Sequence, residues 1–238
     1  MAKVDRLKKD RLRQFEARQV LHSTQRDRKR RDQWLWTVFA VGAVTVSGVS
    51  LWAYGAIGPG APKTVPPIEL SENREWTGEM VISGVTLPIS LDGAAAPQAV
   101  ANFVGLTQDD FYTDTTCHRL TTERLFVLQC GDPLGSGLGN PGYIFGPIEN
   151  APSDDFYPAG TLAMARAAND GDSQGSQFFI VYEDSVIPAD GAGGYTILGR
   201  VTGPLDEFKT AFVEPGTENG ESDGYPVAPA RIESITIR

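Results

Sequence analysis

The sequence predicts a mainly β domain, an antiparallel barrel closed on itself and capped by two helices, standing behind a single transmembrane helix. Three observations carry this. Trp34–Ile57 runs for 24 residues without a charge. The chain beyond it is a series of short apolar runs broken by Gly, Pro, Asn and Asp, the pattern of many short strands. Only two stretches there have helical spacing. Many short strands with few helices manage their exposed edges best by closing into a barrel.

The N-terminal part is basic. Residues 1–32 carry twelve Lys/Arg against five Asp/Glu, whereas the rest of the chain carries nine against twenty-five. Val4, Leu7, Leu12 and Phe15 give residues 3–31 a helical spacing, so 1–33 reads as a basic, helical cytoplasmic tail. A 24-residue helix rises roughly 36 Å, enough to cross about 30 Å of hydrocarbon. Trp34 and Trp36 at one end and Trp52 and Tyr54 at the other suit the two interfaces. A cleaved signal peptide is the alternative, but its basic region and apolar core are usually shorter. The basic run Arg26–Gln33 keeps the N-terminus cytoplasmic and puts the acidic body outside a plasma membrane. That acidic body excludes nucleic acid as a partner, because phosphates need a basic surface.

The stretch 58–71, rich in Pro and Gly, reads as a semi-stiff linker, and 72–238 as one domain. Gly78–Gly93 holds two apolar runs around Ser83-Gly84, a hairpin. Pro97–Gln108 is a helix, with Pro97 in its first turn and Val100, Phe103, Val104 and Leu106 on one stripe. Cys117–Asp132 reads as two strands around a turn at Thr121–Arg124. Gly160–Ala167, Ser176–Tyr182 and Tyr195–Val201 are further strands, Leu205–Val213 a second helix, and Ala230–Arg238 a closing strand.

Gly171-Asp172-Ser173 raises a trypsin-like serine protease, with His118 as base and Asp132 as orienting acid. A three-residue match has a high false-positive rate. Gln174 stands where an oxyanion-hole glycine is needed, and the domain is short for two barrels. No common zinc pattern is present, since His118, Cys117 and Cys130 lack ligand spacing.

Three segments together carry more. Cys117–Tyr143 ("CHRLTTERLFVLQCGDPLGSGLGNPGY"), Gly160–Ile180 ("GTLAMARAANDGDSQGSQFFI") and Tyr195–Val201 ("YTILGRV") resemble the cyclophilin family of peptidyl-prolyl isomerases, in the family's order. The resemblance runs from about Gly78 to Arg238. It implies an eight-stranded barrel with two helices and rotation about X–Pro bonds in exported polypeptides, with neither cofactor nor metal. It implies Arg119, Phe126 and Gln129 as catalytic residues, Arg119 donating to the proline nitrogen. Val127, Phe179 and Ile187 join Phe126 in the proline pocket. Ala165 and Arg166 offer backbone groups to the preceding residue, Gln177 frames the groove, and Tyr195 stands where the family often has His. Val186 or a neighbour replaces a frequent tryptophan, which implies weak cyclosporin binding. The loop Ile187–Gly194 is longer than the family pattern. A module that binds Pro segments without useful catalysis is the alternative function.

If the strands of Cys117–Asp132 pair with equal arms, Cys117 and Cys130 flank the turn nearly symmetrically, within reach of a disulfide. Two unpaired buried thiols are the alternative. Alternation along "GSQFFI" puts Gln177 and Phe179 at the groove and Phe178 and Ile180 in the core, after an entry turn at Gly175.

Overall fold

The computed structural model describes residues 29, 33–34, 36–39, 42, 44–52 and 63–238. The chain divides between Pro62 and Lys63. In the first unit the basic tail, residues 53–57 and the first part of the linker fall almost wholly outside the described residues. The described residues between 33 and 52 are helical. The expected transmembrane helix is corrected: among the described residues no helix is long and apolar enough to cross a membrane. A span needs about 20 consecutive apolar residues. The membrane as a partner, the plasma-membrane location and the N-in topology are withdrawn with it.

In the second unit, β1 (Glu75–Ile82) and β2 (Val85–Asp92) form an antiparallel hairpin from Glu75↔Asp92 to Ile82↔Val85. Its two-residue turn has Ser83 at φ 42° and Gly84 at φ 85°. Both angles are left-handed, as the tight turn matching strand twist requires. Helix α1 (Pro97–Gln108) follows. Its first turn is capped from far away, since the Glu149 carboxylate accepts the Gln98 and Ala99 N–H groups at 3.0 and 2.9 Å. An anion there satisfies orphan donors and the positive end of the helix dipole. Buried Asn102 on α1 donates to the Gly175 carbonyl at 2.8 Å and accepts from the Tyr143 hydroxyl at 2.8 Å. The helix is thereby tied to the entry of "GSQFFI".

The other strands are β3 (Arg119–Glu123), β4 (Leu125–Cys130), β5 (Phe156–Tyr157), β6 (Thr161–Met164), β7 (Phe178–Val181), β8 (Ser185–Val186), β9 (Ile197–Val201), β10 (Asp223–Gly224) and β11 (Ile232–Ile237). Nine make one antiparallel sheet in the order β10-β3-β4-β7-β6-β9-β2-β1-β11, and β5 pairs with β8 separately. Helix α2 (Asp206–Phe208) runs on into a π turn, Lys209–Val213, and a 3₁₀ turn covers Ile68–Ser71.

The closed eight-stranded barrel is therefore corrected to a nine-stranded sheet that curls without closing. The reason is β10. It takes the edge of β3 through Asp223↔Thr121 and Gly224↔Leu120. The last strand can then reach only the chain before β3, through an isolated Thr116–Arg231 bridge and Cys117 N–H to the Ala230 carbonyl at 2.7 Å. Two helices capping the sheet become three helical elements.

The curl encloses the main core. Leu128 and Cys130 of β4, Phe178 and Ile180 of β7, Leu162 and Met164 of β6 and Phe103 of α1 meet there. A second cluster lies on the opposite face of the same strands: Val127, Ala163, Phe179, Val181, Tyr157 and Ile187. Strands β6 and β7 are consequently buried on both faces, and the outer cluster becomes the floor of a site. Cys117 and Cys130 are joined by a disulfide.

Candidate active site

A row of residues crosses the outer face in register. Arg119 on β3 faces Gln129 on β4, Gln129 faces Phe179 on β7, Phe179 faces Ala163 on β6, and Ala163 faces Ile197 on β9. The strand period of two keeps such a row on one side. Val127 and Val181 form the adjacent row. Above them is a concavity of ≈ 90 Å³ lined by Arg119, Leu125, Val127, Gln129, Ala165, Arg166, Phe179, Ile187 and Tyr195. A second, of ≈ 290 Å³, adjoins it through Gln129, Ala165 and Arg166 and continues past Gln177 to Leu138 and Ile144. Together they make one groove with a small pocket of mixed apolar and polar lining at one end.

Most of the expected site residues meet in that groove, and Phe126 does not. Gln129 faces the pocket, so alternation puts Val127 and Leu125 with it and Phe126 on the other side. Phe126 stacks edge-on against Tyr182 at 6.0 Å, and its N–H donates to Ser185 Oγ at 3.1 Å. Leu125 lines the pocket in its place. The hairpin tip is Arg124 alone, at φ 63°, with Glu123 opposite Leu125. The signal was available in the sequence, since strict alternation back from Gln129 excludes Phe126.

Gln129 and Gln177 act as a pair. Gln129 Nε2 donates to Gln177 Oε1 at 2.8 Å, and Gln177 Nε2 donates to the carbonyls of Gly137 and Gly139 at 3.0 and 2.8 Å. That fixes the loop after β4 as a groove wall. Asp132 shapes the same loop, its carboxylate accepting from the N–H groups of Leu134, Ser136 and Gly137. Burial pushes this carboxyl up, but backbone donors at Leu134, Gly139, Ser136 and Gly137 outweigh it and hold it below the usual range. Gly131, at φ 84°, makes the approach possible, because a Cβ there would sit 2.4 Å from the Ser176 carbonyl oxygen.

The protease constellation is not assembled. Ser173 Oγ donates to the Asp170 carbonyl at 2.8 Å and accepts from the Ala167 N–H at 2.8 Å, as a loop-forming serine does. His118 is buried, and neither ring nitrogen has a partner among the described residues. Burial pushes its imidazole down, against the opposing pull of the nearby Asp132 carboxylate.

Two arginines divide the work. Arg166 has a side chain only 1% exposed. Nη1 and Nη2 each meet Asp190 at 2.9 Å, Nε donates to the Gly194 carbonyl at 2.9 Å, and the guanidinium lies 4.6 Å over the Tyr195 ring. It anchors the long loop carrying Ile187. Its backbone N–H and carbonyl have no partner among the described residues, whereas the Ala165 N–H is spent on the Gln177 carbonyl at 2.9 Å. Arg119, by contrast, is half exposed at the pocket rim. Its Nε and Nη2 donate to Asp223 Oδ1 and Oδ2 at 2.8 and 2.7 Å. The Asp223 contact raises its pKa further, so it is always a cation. Tyr195 packs edge-on against Phe179 at 5.5 Å.

The Arg166 guanidinium beside Asp190, aided by the N–H groups of Asn169 and Ala192, holds the Asp190 carboxyl well below the usual carboxylate range. A depressed acid contributes stability that is fully present above its unfolded value of about 3.9 and is lost as pH falls through the folded value. The loop 187–194 is thus expected to stay protected from amide exchange down to below about pH 3.9. In Asp190→Asn it should exchange fast even at neutral pH. Equal protection in both proteins would show that the pair does not hold the loop.

Comparison with known proteins bears on the family and the fold. The family model described as cyclophilin type peptidyl-prolyl cis-trans isomerase/CLD matches residues 78–237. The Mycobacterium tuberculosis (strain H37Rv) protein named "Probable peptidyl-prolyl cis-trans isomerase B" is 35% identical over 197 residues, covering 75% of this chain and 62% of the relative. The chain thus spans less than two thirds of that relative's length. Bacillus subtilis peptidyl-prolyl cis-trans isomerase B is 40% identical over 127 residues, covering 53% of this chain and 82% of the relative. Among solved structures, a Cryptosporidium parvum cyclophilin type peptidyl-prolyl cis-trans isomerase crystallised in the presence of the dipeptide Ala-Pro matches with TM-score 0.56 and 26% identity, over 68% of this chain and 98% of that one. From the matched span 78–237 and the shared fold, this chain belongs to the cyclophilin-type peptidyl-prolyl cis-trans isomerase family.

Proposed function

We propose that the domain catalyses cis–trans isomerisation of X–Pro bonds in polypeptides, assisting their folding. The observation that carries the reading is a permanent cation, Arg119, on the rim of a ≈ 90 Å³ pocket in which Leu125, Val127, Phe179 and Ile187 meet the polar Gln129 and Arg166. Rotating an amide costs ~18–20 kcal/mol because resonance is lost, and X–Pro exchange takes tens to hundreds of seconds. In the twisted state the nitrogen becomes pyramidal and accepts a hydrogen bond. A charged donor beside a low-dielectric wall stabilises that state more than the planar ground state. An acceleration of ~10⁵–10⁶ needs about 7–8 kcal/mol off the barrier.

In this reading Leu125, Val127, Phe179 and Ile187 hold the proline ring while Arg119 donates to its nitrogen. Gln129 bonds a substrate carbonyl. The free N–H and carbonyl of Arg166 pair with the residue before proline. Rotation breaks no covalent bond, so a serine-directed covalent inhibitor is expected to leave the protein unlabelled.

The test is exchange of a short X–Pro peptide with the full chain. The wild type should accelerate it. Phe179→Ala should raise KM about tenfold or more, because truncating a buried aromatic removes contacts made in both states. A wild-type rate equal to background, with the peptide still bound, would leave the chain as a proline-binding module.

A further inference from the structure

We infer that Asp223 is a positioning residue for the reaction: it fixes the plane of the Arg119 guanidinium, so that the remaining N–H bonds are aimed at the proline pocket. The inference rests on the reading of Arg119 as the donor to the proline nitrogen. Asp223 lies 104 residues further along the chain. It reaches Arg119 because β10 pairs with β3 through Asp223↔Thr121. The contact is a fork on a fork, Nε to Oδ1 at 2.8 Å and Nη2 to Oδ2 at 2.7 Å. Two parallel charge-assisted bonds define a plane, which a single contact does not. Both oxygens are used on one edge of the guanidinium, and Nη1 has no partner among the described residues.

The alternative is a surface ion pair that merely stitches β10 to the sheet. The side chains are 41% and 53% exposed, and pairs so placed add little stability. Yet β10 is already held without the carboxylate. Thr122 N–H donates to the Ser222 carbonyl at 2.9 Å, and Asn219 Nδ2 donates to the Asp223 carbonyl oxygen at 3.1 Å. The carboxylate is therefore free to serve Arg119. It also explains how a half-exposed arginine avoids sampling rotamers that point away from the pocket. Pre-organisation of this kind acts on the transition state, where a misplaced group costs rate and leaves ground-state binding largely unaffected.

Full-length Asp223→Asn, Asp223→Glu, Arg119→Ala and the double variant Arg119→Ala/Asp223→Asn would be compared on an X–Pro peptide. Asp223→Asn is expected to lower kcat about tenfold with KM within about twofold. Asp223→Glu keeps the charge but displaces the fork, so its kcat should fall between. The double variant should be no slower than Arg119→Ala. The Arg119 Nε–H proton resonance should exchange slowly with water in the wild type and fast in Asp223→Asn, a readout independent of activity. An unchanged kcat in Asp223→Asn beside a damaged Arg119→Ala overturns the inference alone, even if the thermal midpoint drops. An undamaged Arg119→Ala removes the donor role, and the inference falls with it.

Discussion

Arg119→Ala is expected to lower kcat/KM for an X–Pro peptide by about 10²–10³-fold, with most of the loss in kcat. Removing one pre-organised donor from a developing acceptor typically costs about 2.7–4 kcal/mol. Arg119 is well placed for such a role. It sits at the end of the row Arg119–Gln129–Phe179–Ala163, over an apolar floor that weakens competition from water. Its positive charge cannot be lost at any working pH. The fold should barely register the change, because Arg119 is half exposed and its ion pair with Asp223 lies at the surface. Progress curves for cis-to-trans exchange, read with thermal melts of the same samples, separate the two effects. A variant as fast as the wild type would remove Arg119 from the mechanism.

Reducing the disulfide between Cys117 and Cys130 is expected to cost about 3 kcal/mol of stability, the chain-entropy value for a loop of this order, since the sequence separation is 13. For a domain of this size that lowers the thermal midpoint by roughly 6–12 °C. The bond lies at the base of the β3–β4 hairpin, where Cys117 precedes Arg119 by two residues and Cys130 follows Gln129 directly. Reduction should therefore also raise the mobility of the two polar groups expected to handle substrate. Melting with and without reductant, on wild type and on the double Cys117→Ser/Cys130→Ser variant, reads the effect. The variant should melt like the reduced wild type and ignore reductant. A wild type whose midpoint and intact mass are both unchanged by reductant would have no such bond.

The two predictions differ in how they depend on the sequence. Arg119, Gln129 and the two cysteines lie within fourteen residues of one hairpin, so local pairing rules bring them together. The same rules could have placed Leu125 in the pocket, since it shares parity with Gln129. The motif match gave Phe126 instead, because a family pattern carries letters but not the face on which each letter falls. "GSQFFI" behaved as alternation requires: Phe178 and Ile180 lie in the main core, and Phe179 in the outer cluster.

Other features were beyond the reach of local patterns. Strand β10 has two residues, Asp223 and Gly224, and no hydrophobic period to reveal it. Its addition to the edge of β3 left the sheet open and gave it nine strands. The same strand delivers the Asp223 carboxylate to Arg119. Arg166 was expected to contribute only its backbone, because nothing near it in sequence says that Asp190 and Gly194 will wrap its guanidinium. The segment 34–57 shows the converse. An uncharged run is a local property, but a spanning helix is a statement about three-dimensional structure, and among the described residues none is present.

By itself, then, the sequence determined the hairpins, the long helix after Pro97 and the β7 face assignment, because these follow from turn chemistry and a period of two or 3.6 residues. It also supplied one permanent cation, Arg119, beside an apolar strand, whereas the tertiary structure decided that Ser173 bonds within its own loop and not to His118. Only the tertiary structure decided which strand edge β10 would cover, that the sheet would stay open, and that two distant carboxylates, Asp190 and Asp223, would each claim an arginine. Those choices join residues 24 and 104 positions apart. Their pairing depends on how the whole sheet curls, which no short window of sequence encodes.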